Sequence, residues 1–160
     1  MIASMDPDKV LAVFRALETH QVDYIVVGAV AINLLGLPRG TKDLDLFIRP
    51  THDNVDRLRR ALRSVWDDPE LDALSADDLA GDYPAVQYGP PDDSFRLDIM
   101  ARLGEAFAYE DLEAEERIVD GVRVRVATPA TLYRMKRGTV RLQDRADAAR
   151  LREHFGLDRD

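Results

Sequence analysis

The chain has 160 residues, 46% hydrophobic and 32% charged, the make-up of a soluble globular protein of one domain (residues 1–160) that buries about two-thirds of its unfolded surface. Its net charge of −8 argues against a surface given over broadly to nucleic acid, while leaving room for a local basic patch. The absence of cysteine excludes disulfides and thiolate metal sites; no signal-like run opens the chain and no apolar stretch is long enough for a membrane span, so the expected setting is cytoplasmic.

Taken in order, Asp6-Pro7 predicts a helix start, with Asp6 as cap and Pro7 in the first turn. Val10, Leu11, Val13, Phe14 and Leu17 supply its apolar stripe. Tyr24 to Val27 is an apolar, β-branched run and reads as a buried strand. Gly28 then turns the chain into a helix over Val30 to Leu35, which Gly36-Leu37-Pro38 stops. Arg39-Gly40-Thr41-Lys42 is a polar loop whose basic residues either meet phosphates or balance nearby acids. The second strand runs from Asp43 to Ile48. Pro50-Thr51 opens a helix capped by Thr51, with Val55, Leu58, Leu62 and Val65 on its buried side and Arg57, Arg59, Arg60 and Arg63 mostly solvated. Asp67 to Asp82 contains seven acids and no Lys or Arg; it reads as a loop with one short helical turn near Ser75 to Leu79.

Ala85 to Tyr88 and Phe95 to Met100 are strands around a turn at residues 89–93. Phe107 to Arg117 is expected to be helical or irregular. Ile118 to Val126 is a hairpin about Asp120-Gly121, a strong two-residue turn signal. Thr128-Pro129 starts a helix carrying Leu132, Met135 and Lys136. The last helix, Gln143 to Phe155, offers Ala146, Ala149, Leu151 and Phe155 as its buried residues. Between Arg123 and Arg152 there are nine basic residues and two acids, Asp144 and Asp147, so an acidic middle is followed by a basic C-terminal third.

The stretch with the most chemical content is Val26 to Ile48. Side chains alternate along a strand, so Asp43 and Asp45 project from one face and Leu44 and Leu46 from the other. By the same rule Asp98 shares a face with Arg96 and Met100. Asp is depleted in strands and neighbouring like charges repel, a cost that a divalent cation offsets. An Asp-x-Asp pair alone is most often a solvated strand face, and a salt bridge to Arg96 is the plain alternative for Asp98. What raises the pair above that is its place directly after a glycine turn and helix start, where free N–H groups suit an anion.

Gly28-Ala29, thirteen further residues and Asp43-Leu44-Asp45-Leu46 resemble the signature of the polymerase-beta-type nucleotidyltransferase superfamily. Ala29 stands where that signature carries Gly or Ser and offers a backbone N–H but no hydroxyl. The resemblance implies an α/β (α+β) fold, a mixed β-sheet flanked by helices, with its core motifs in residues 24–100 and a C-terminal hairpin and helices over 117–155. It also implies a metal-binding and catalytic set of Asp43, Asp45 and Asp98, one or two Mg²⁺ ions, and an NTP as substrate.

Farther on, Thr128-Pro129, Leu132, Lys136 and Gln143-Asp144-Arg145-Ala146-Asp147 resemble the AbiEii-type toxin branch, with Gln143 where Lys or Arg is common. By that match Lys136 contacts the triphosphate and Asp144 supports the site. Gly28, Ala29, Arg39, Thr41 and Lys42 complete the candidate nucleotide-binding residues. The resemblance spans about residues 22 to 152. It implies transfer of an NMP to an acceptor hydroxyl, on RNA such as a tRNA end or on a small molecule of the antibiotic type, with an antitoxin protein as partner. The alternative from another class is a non-catalytic, antitoxin-like binding module.

Overall fold

The computed structural model describes residues 5–80, 85–103, 107–137 and 141–157. The chain opens with α1 (Pro7–Thr19), whose Asp6 carboxylate accepts hydrogen bonds from the amides of Asp8 and Lys9. Next come β1 (Tyr24–Val27), α2 (Gly28–Leu34), β2 (Asp43–Ile48) and α3 (His52–Val65). Thr51 caps α3 by accepting from the Asn54 amide at 3.2 Å. After α3 follow β3 (Ala85–Tyr88), β4 (Arg96–Met100), the short pair β5 (Arg102–Leu103) and β6 (Phe107–Ala108), the hairpin β7 (Ala114–Val119) and β8 (Val122–Ala127), and the helices α4 (Pro129–Arg137) and α5 (Leu142–Phe155).

The six longer strands form one mixed sheet in the order β3-β4-β2-β1-β8-β7. β2 lies at its centre, antiparallel to β1 and parallel to β4. The parallel pairing sets Asp45 opposite Asp98 and Asp43 opposite Arg96. Leu44, Leu46, Ile48, Leu97 and Ile99, which point the other way, are all buried and join the hydrophobic core. Burial of that face is what holds the register: a slip of one residue would drive two carboxylates into the core. Asn54, wholly buried, ties the β1 and β2 ends together by donating to the carbonyls of Asp23 and Arg49 and accepting from the Asp23 amide.

Several expectations are corrected. The helix after the first strand begins at Gly28 itself, with Gly28 at φ +72°. The acidic segment contains two short 3₁₀ turns, Pro69–Ala73 and Asp77–Leu79, and its residues 81 and 82 lie outside the described residues. The stretch expected to be helical or irregular from Phe107 to Arg117 is mostly extended: β6, a 3₁₀ turn over Tyr109–Asp111, then β7. β7 lacks an apolar period because it is an edge strand, with Ile118 68% exposed, and is extended because it pairs with β8. Asp120 and Gly121, at φ +48° and +81°, make the expected hairpin turn. On α5, Ala146 and Ala149 are exposed, and the buried side consists of Asp147, Ala148 and Leu151.

Candidate active site

The central strands bring the acids together. Burial and the adjacent Asp98 carboxylate hold Asp45 well above the usual carboxylate range, to about 7; Asp43 adds to the effect and Lys136 opposes it. Asp45 and Asp98 stand directly opposite each other on the parallel strands β2 and β4, so the two carboxylates crowd one another. The Asp98 Oδ1 atom is buried and, among the described residues, has no hydrogen-bond partner. An orphaned buried oxygen beside a second carboxylate is costly unless a cation or proton meets it. Asp43 lies one step out on the same face, where Arg96 donates to its Oδ1 at 3.1 Å. The plain alternative for Asp98 thus falls to Asp43 instead.

Gly28 is required here by contact as well as conformation. A Cβ built on it would lie 1.9 Å from Asp45 Oδ2. The β1–α2 junction therefore packs its backbone directly on the Asp45 carboxylate. α2 has only seven residues, so close approach of its first amides, rather than a long helix dipole, is what this end offers an anion.

Across from the acids stands a cluster of ion pairs. Lys136 on α4 donates to Asp144 at 3.2 Å and to Asp147 at 2.9 Å, both on α5. Arg39, from the loop before β2, donates through Nε to Asp147 at 3.1 Å. Gln143 adds a bond to Asp147 at 3.1 Å. Burial pushes the Asp147 carboxyl up, but the bonds and charge of Lys136, with the bonds from Arg39 and Gln143, more than offset it and hold the pKa below the usual range.

Between acids and cations lies a polar cleft of about 320 Å³, lined among others by Ala29, Arg39, Thr41, Asp43, Asp45, Asp98, Lys136, Arg141 and Asp144. An apolar hollow of about 150 Å³ adjoins it, sharing Asp45, Met100, Lys136 and Asp144 and adding Gly28, Leu103, Leu132 and Met135. Of the residues singled out in the sequence, nine meet around this double cleft: Gly28, Ala29, Arg39, Thr41, Asp43, Asp45, Asp98, Lys136 and Asp144. Lys42 does not; it is exposed and lines a neighbouring depression, on the far side of Asp43, with Pro90, Asp93 and Arg96. The sequence reading missed Arg96 as the partner of Asp43, and Asp147 as the centre of the ion cluster. The Asp-x-x-Asp spacing held a signal for the second, since residues three apart share a helix face.

Among the described residues no group of three or more His, Cys, Asp or Glu stands gathered around one point. Mg²⁺ does not require one: one or two carboxylates suffice when phosphate oxygens and water complete its shell. Hard oxygen donors at Asp45 and Asp98, one of them lacking any partner, fit such an ion. Among the described residues no helix is long and apolar enough to cross a membrane.

The raised Asp45 pKa has a consequence for stability. Its folded value of about 7 lies above its ordinary value of 3.8, so between those limits the folded state binds more protons than the unfolded state. Stability of the metal-free protein is therefore expected to fall as pH rises through that window and to level off above about 7. Asp147 is shifted the other way, and its contribution is lost only in more acid solution. Thermal melts should show a lower midpoint at about pH 8 than at about pH 5, and Asp45→Asn should flatten the difference. An equal slope in the variant would show that Asp45 is not its source.

Solved structures similar to this chain include proteins described as nucleotidyltransferases. The lincosamide antibiotic adenylyltransferase LnuA, bound to lincomycin, superposes with a TM-score of 0.60 at 13% identity, covering 92% of this chain and 97% of its own. ANT(2")-Ia, in complex with adenylyl-2"-tobramycin, gives 0.58 at 15% identity, covering 94% and 91%. A protein from Thermotoga maritima described as a nucleotidyltransferase gives 0.56 at 15%, covering 98% and 96%. At such identities these matches establish the fold. No curated protein sequence matches the chain. The family profile described as nucleotidyl transferase AbiEii toxin, type IV TA system, matches residues 10–152. That match spans both the Asp-x-Asp strand and the Lys136–Asp147 cluster, and the chain accordingly belongs to the AbiEii nucleotidyltransferase family.

Proposed function

We propose that the protein transfers a nucleoside monophosphate from an NTP to an acceptor hydroxyl with release of pyrophosphate, in dependence on Mg²⁺, and that the acceptor is an RNA such as a tRNA end. The observation that carries this reading is the Asp45–Asp98 pair, held together at a cost and facing Lys136 across an open cleft. Asp45 and Asp98 would hold the ion, with Asp43 joining once released from Arg96. When bound, Mg²⁺ neutralises triphosphate charge and acidifies the acceptor hydroxyl. Asp98, with its unpartnered oxygen, takes the proton as the acceptor oxygen attacks the α-phosphorus and the bond to the β-phosphate oxygen breaks. Lys136, Arg39 and the amides of Gly28 and Ala29 face the phosphates, where the charge leaving with pyrophosphate needs them. The family's description supports a toxin role within a toxin–antitoxin pair, with an antitoxin protein as partner. The exposed Arg141, Arg145 and Arg150 on and beside α5 support an RNA backbone there.

A small-molecule acceptor is the second reading. The acidic 3₁₀ segment sets Glu70 and Asp78 in a depression on the far side of the edge strand β3 from the polar cleft, an acidic surface that would attract a cationic acceptor. LnuA and ANT(2")-Ia are both solved with antibiotic-derived ligands, in keeping with it. Each labelled NTP should be incubated with the protein, Mg²⁺, and either total RNA or an aminoglycoside panel. Label entering RNA, with retention on RNA that falls steeply with salt, supports the first reading; label entering only the drugs supports the second. No Mg²⁺-dependent transfer or NTP binding would leave the non-catalytic module standing.

A further inference from the structure

Resting on the nucleotidyltransferase reading, we infer that Asp147 is a positioning residue, the single buried anchor that aims Arg39 and Lys136 at the triphosphate from two separate parts of the chain. Asp147 is 1% exposed on a helix whose neighbouring residues Ala146 and Ala149 are exposed. A buried carboxylate is kept only when its oxygens are met, and among the described residues its donors are Arg39, Lys136 and Gln143. Arg39 comes from the α2–β2 loop and Lys136 from α4, so the two cations would otherwise be positioned independently. Both line the polar cleft that holds Asp45 and Asp98. Asp147 itself lines neither half of the double cleft. It acts through the cations and does not touch the nucleotide.

The Arg39 backbone is fixed as well. Asn33 on α2 accepts from the Arg39 amide at 3.0 Å and donates to the Arg39 carbonyl, so the loop is tied to the same helix that packs on Asp45. With main chain and guanidinium both held, Arg39 has little freedom left to lose on binding. Lys136 is a long flexible side chain, and two carboxylates on α5 fix its ammonium in the same way. Preorganisation of this kind is read out in binding of the phosphate chain, because the ordering cost is met before the ligand arrives.

Calorimetry with inorganic triphosphate and Mg²⁺, transfer kinetics and melting should be compared for the wild type, Asp147→Asn, the pair Arg39→Gln/Lys136→Gln, and the triple variant. Asp147→Asn is expected to raise the triphosphate Kd and the KM for NTP about tenfold while kcat stays within about threefold. In the background lacking both cations, the same substitution should change Kd less than twofold, since its effect runs through them. A folded Asp147→Asn protein that binds triphosphate like the wild type overturns the inference and leaves Asp147 a purely structural ion pair. Should that variant not fold, Asp147→Glu moves the charge by one methylene and is expected to weaken binding at least about threefold; unchanged binding would again overturn the role. A wild-type protein that neither binds Mg²⁺-triphosphate nor transfers nucleotide removes the underlying reading and the positioning role with it. Normal wild-type binding and transfer with an indifferent Asp147→Asn removes the positioning role alone.

Discussion

Asp45→Asn is expected to reduce nucleotide transfer by about a thousandfold or more while leaving the protein folded. The substitution keeps the shape of the side chain and removes the one charge most strongly opposed by its surroundings. Asp45 is half-buried, faces Asp98 directly across the strand pair, and has Asp43 two residues away. An amide there can donate to Asp98, turning a like-charge contact into an ordinary hydrogen bond. Melting should therefore stay level or rise. Transfer should collapse, because a neutral amide does not hold a divalent cation among phosphates as a carboxylate does. Incorporation of labelled NTP, beside a melting curve on the same preparation, tests both halves. Wild-type transfer by the variant would remove Asp45 from the metal set; a large drop in melting temperature would show that the pair is structural.

Gly28→Ala is the second large effect, and it should appear in stability as well as activity. The residue sits at φ +72°, where a Cβ is strained, and that Cβ would lie 1.9 Å from an Asp45 oxygen. The atoms it would meet all belong to the Asp45 side chain, so the carboxylate has to swing away while the backbone keeps its strain. A loss of about 2–4 kcal/mol is expected from strain plus overlap, with transfer down at least about a hundredfold in the folded fraction because Asp45 is displaced. Gly36→Ala provides the control. Gly36 is also in the left-handed region, at φ +101°, but nothing lies within 4 Å of its added Cβ. It should lose about 1 kcal/mol and keep its transfer rate. Equal activity losses at both glycines would mean that backbone strain, rather than contact with Asp45, sets the effect.

These two positions also mark how far the chain could be read before folding. Alternation along Asp43–Ile48 puts Asp43 and Asp45 on one side of their strand, and along Arg96–Met100 it puts Asp98 on the side away from Leu97 and Ile99, because pleating depends only on local geometry. Gly28 stands out for a similar reason: a glycine between an apolar strand and a helix marks a position that wants positive φ or close contact. The cap at Asp6, the cap at Thr51 and the Asp120-Gly121 turn are likewise local and appear where expected. Lys136 and Asp144 entered through resemblance, since nothing local distinguishes Lys136 from the arginines around it or Asp144 from Asp147.

What the amino-acid order determined alone was which residues share a face, where elements begin, and which acids would pay for standing together. Tertiary structure decided which charges pair and which are buried. Asp147 is as polar as Asp144, yet only the packing of α5 on α4 makes it the wholly buried anchor for Arg39, 108 residues away. Arg96 could have met Asp98 on its own strand, but the parallel register sets it beside Asp43. β7 is extended only because β8 offers a partner. In each case the deciding energy is desolvation or pairing across a long sequence separation, and a linear pattern does not contain it until the chain has closed on itself.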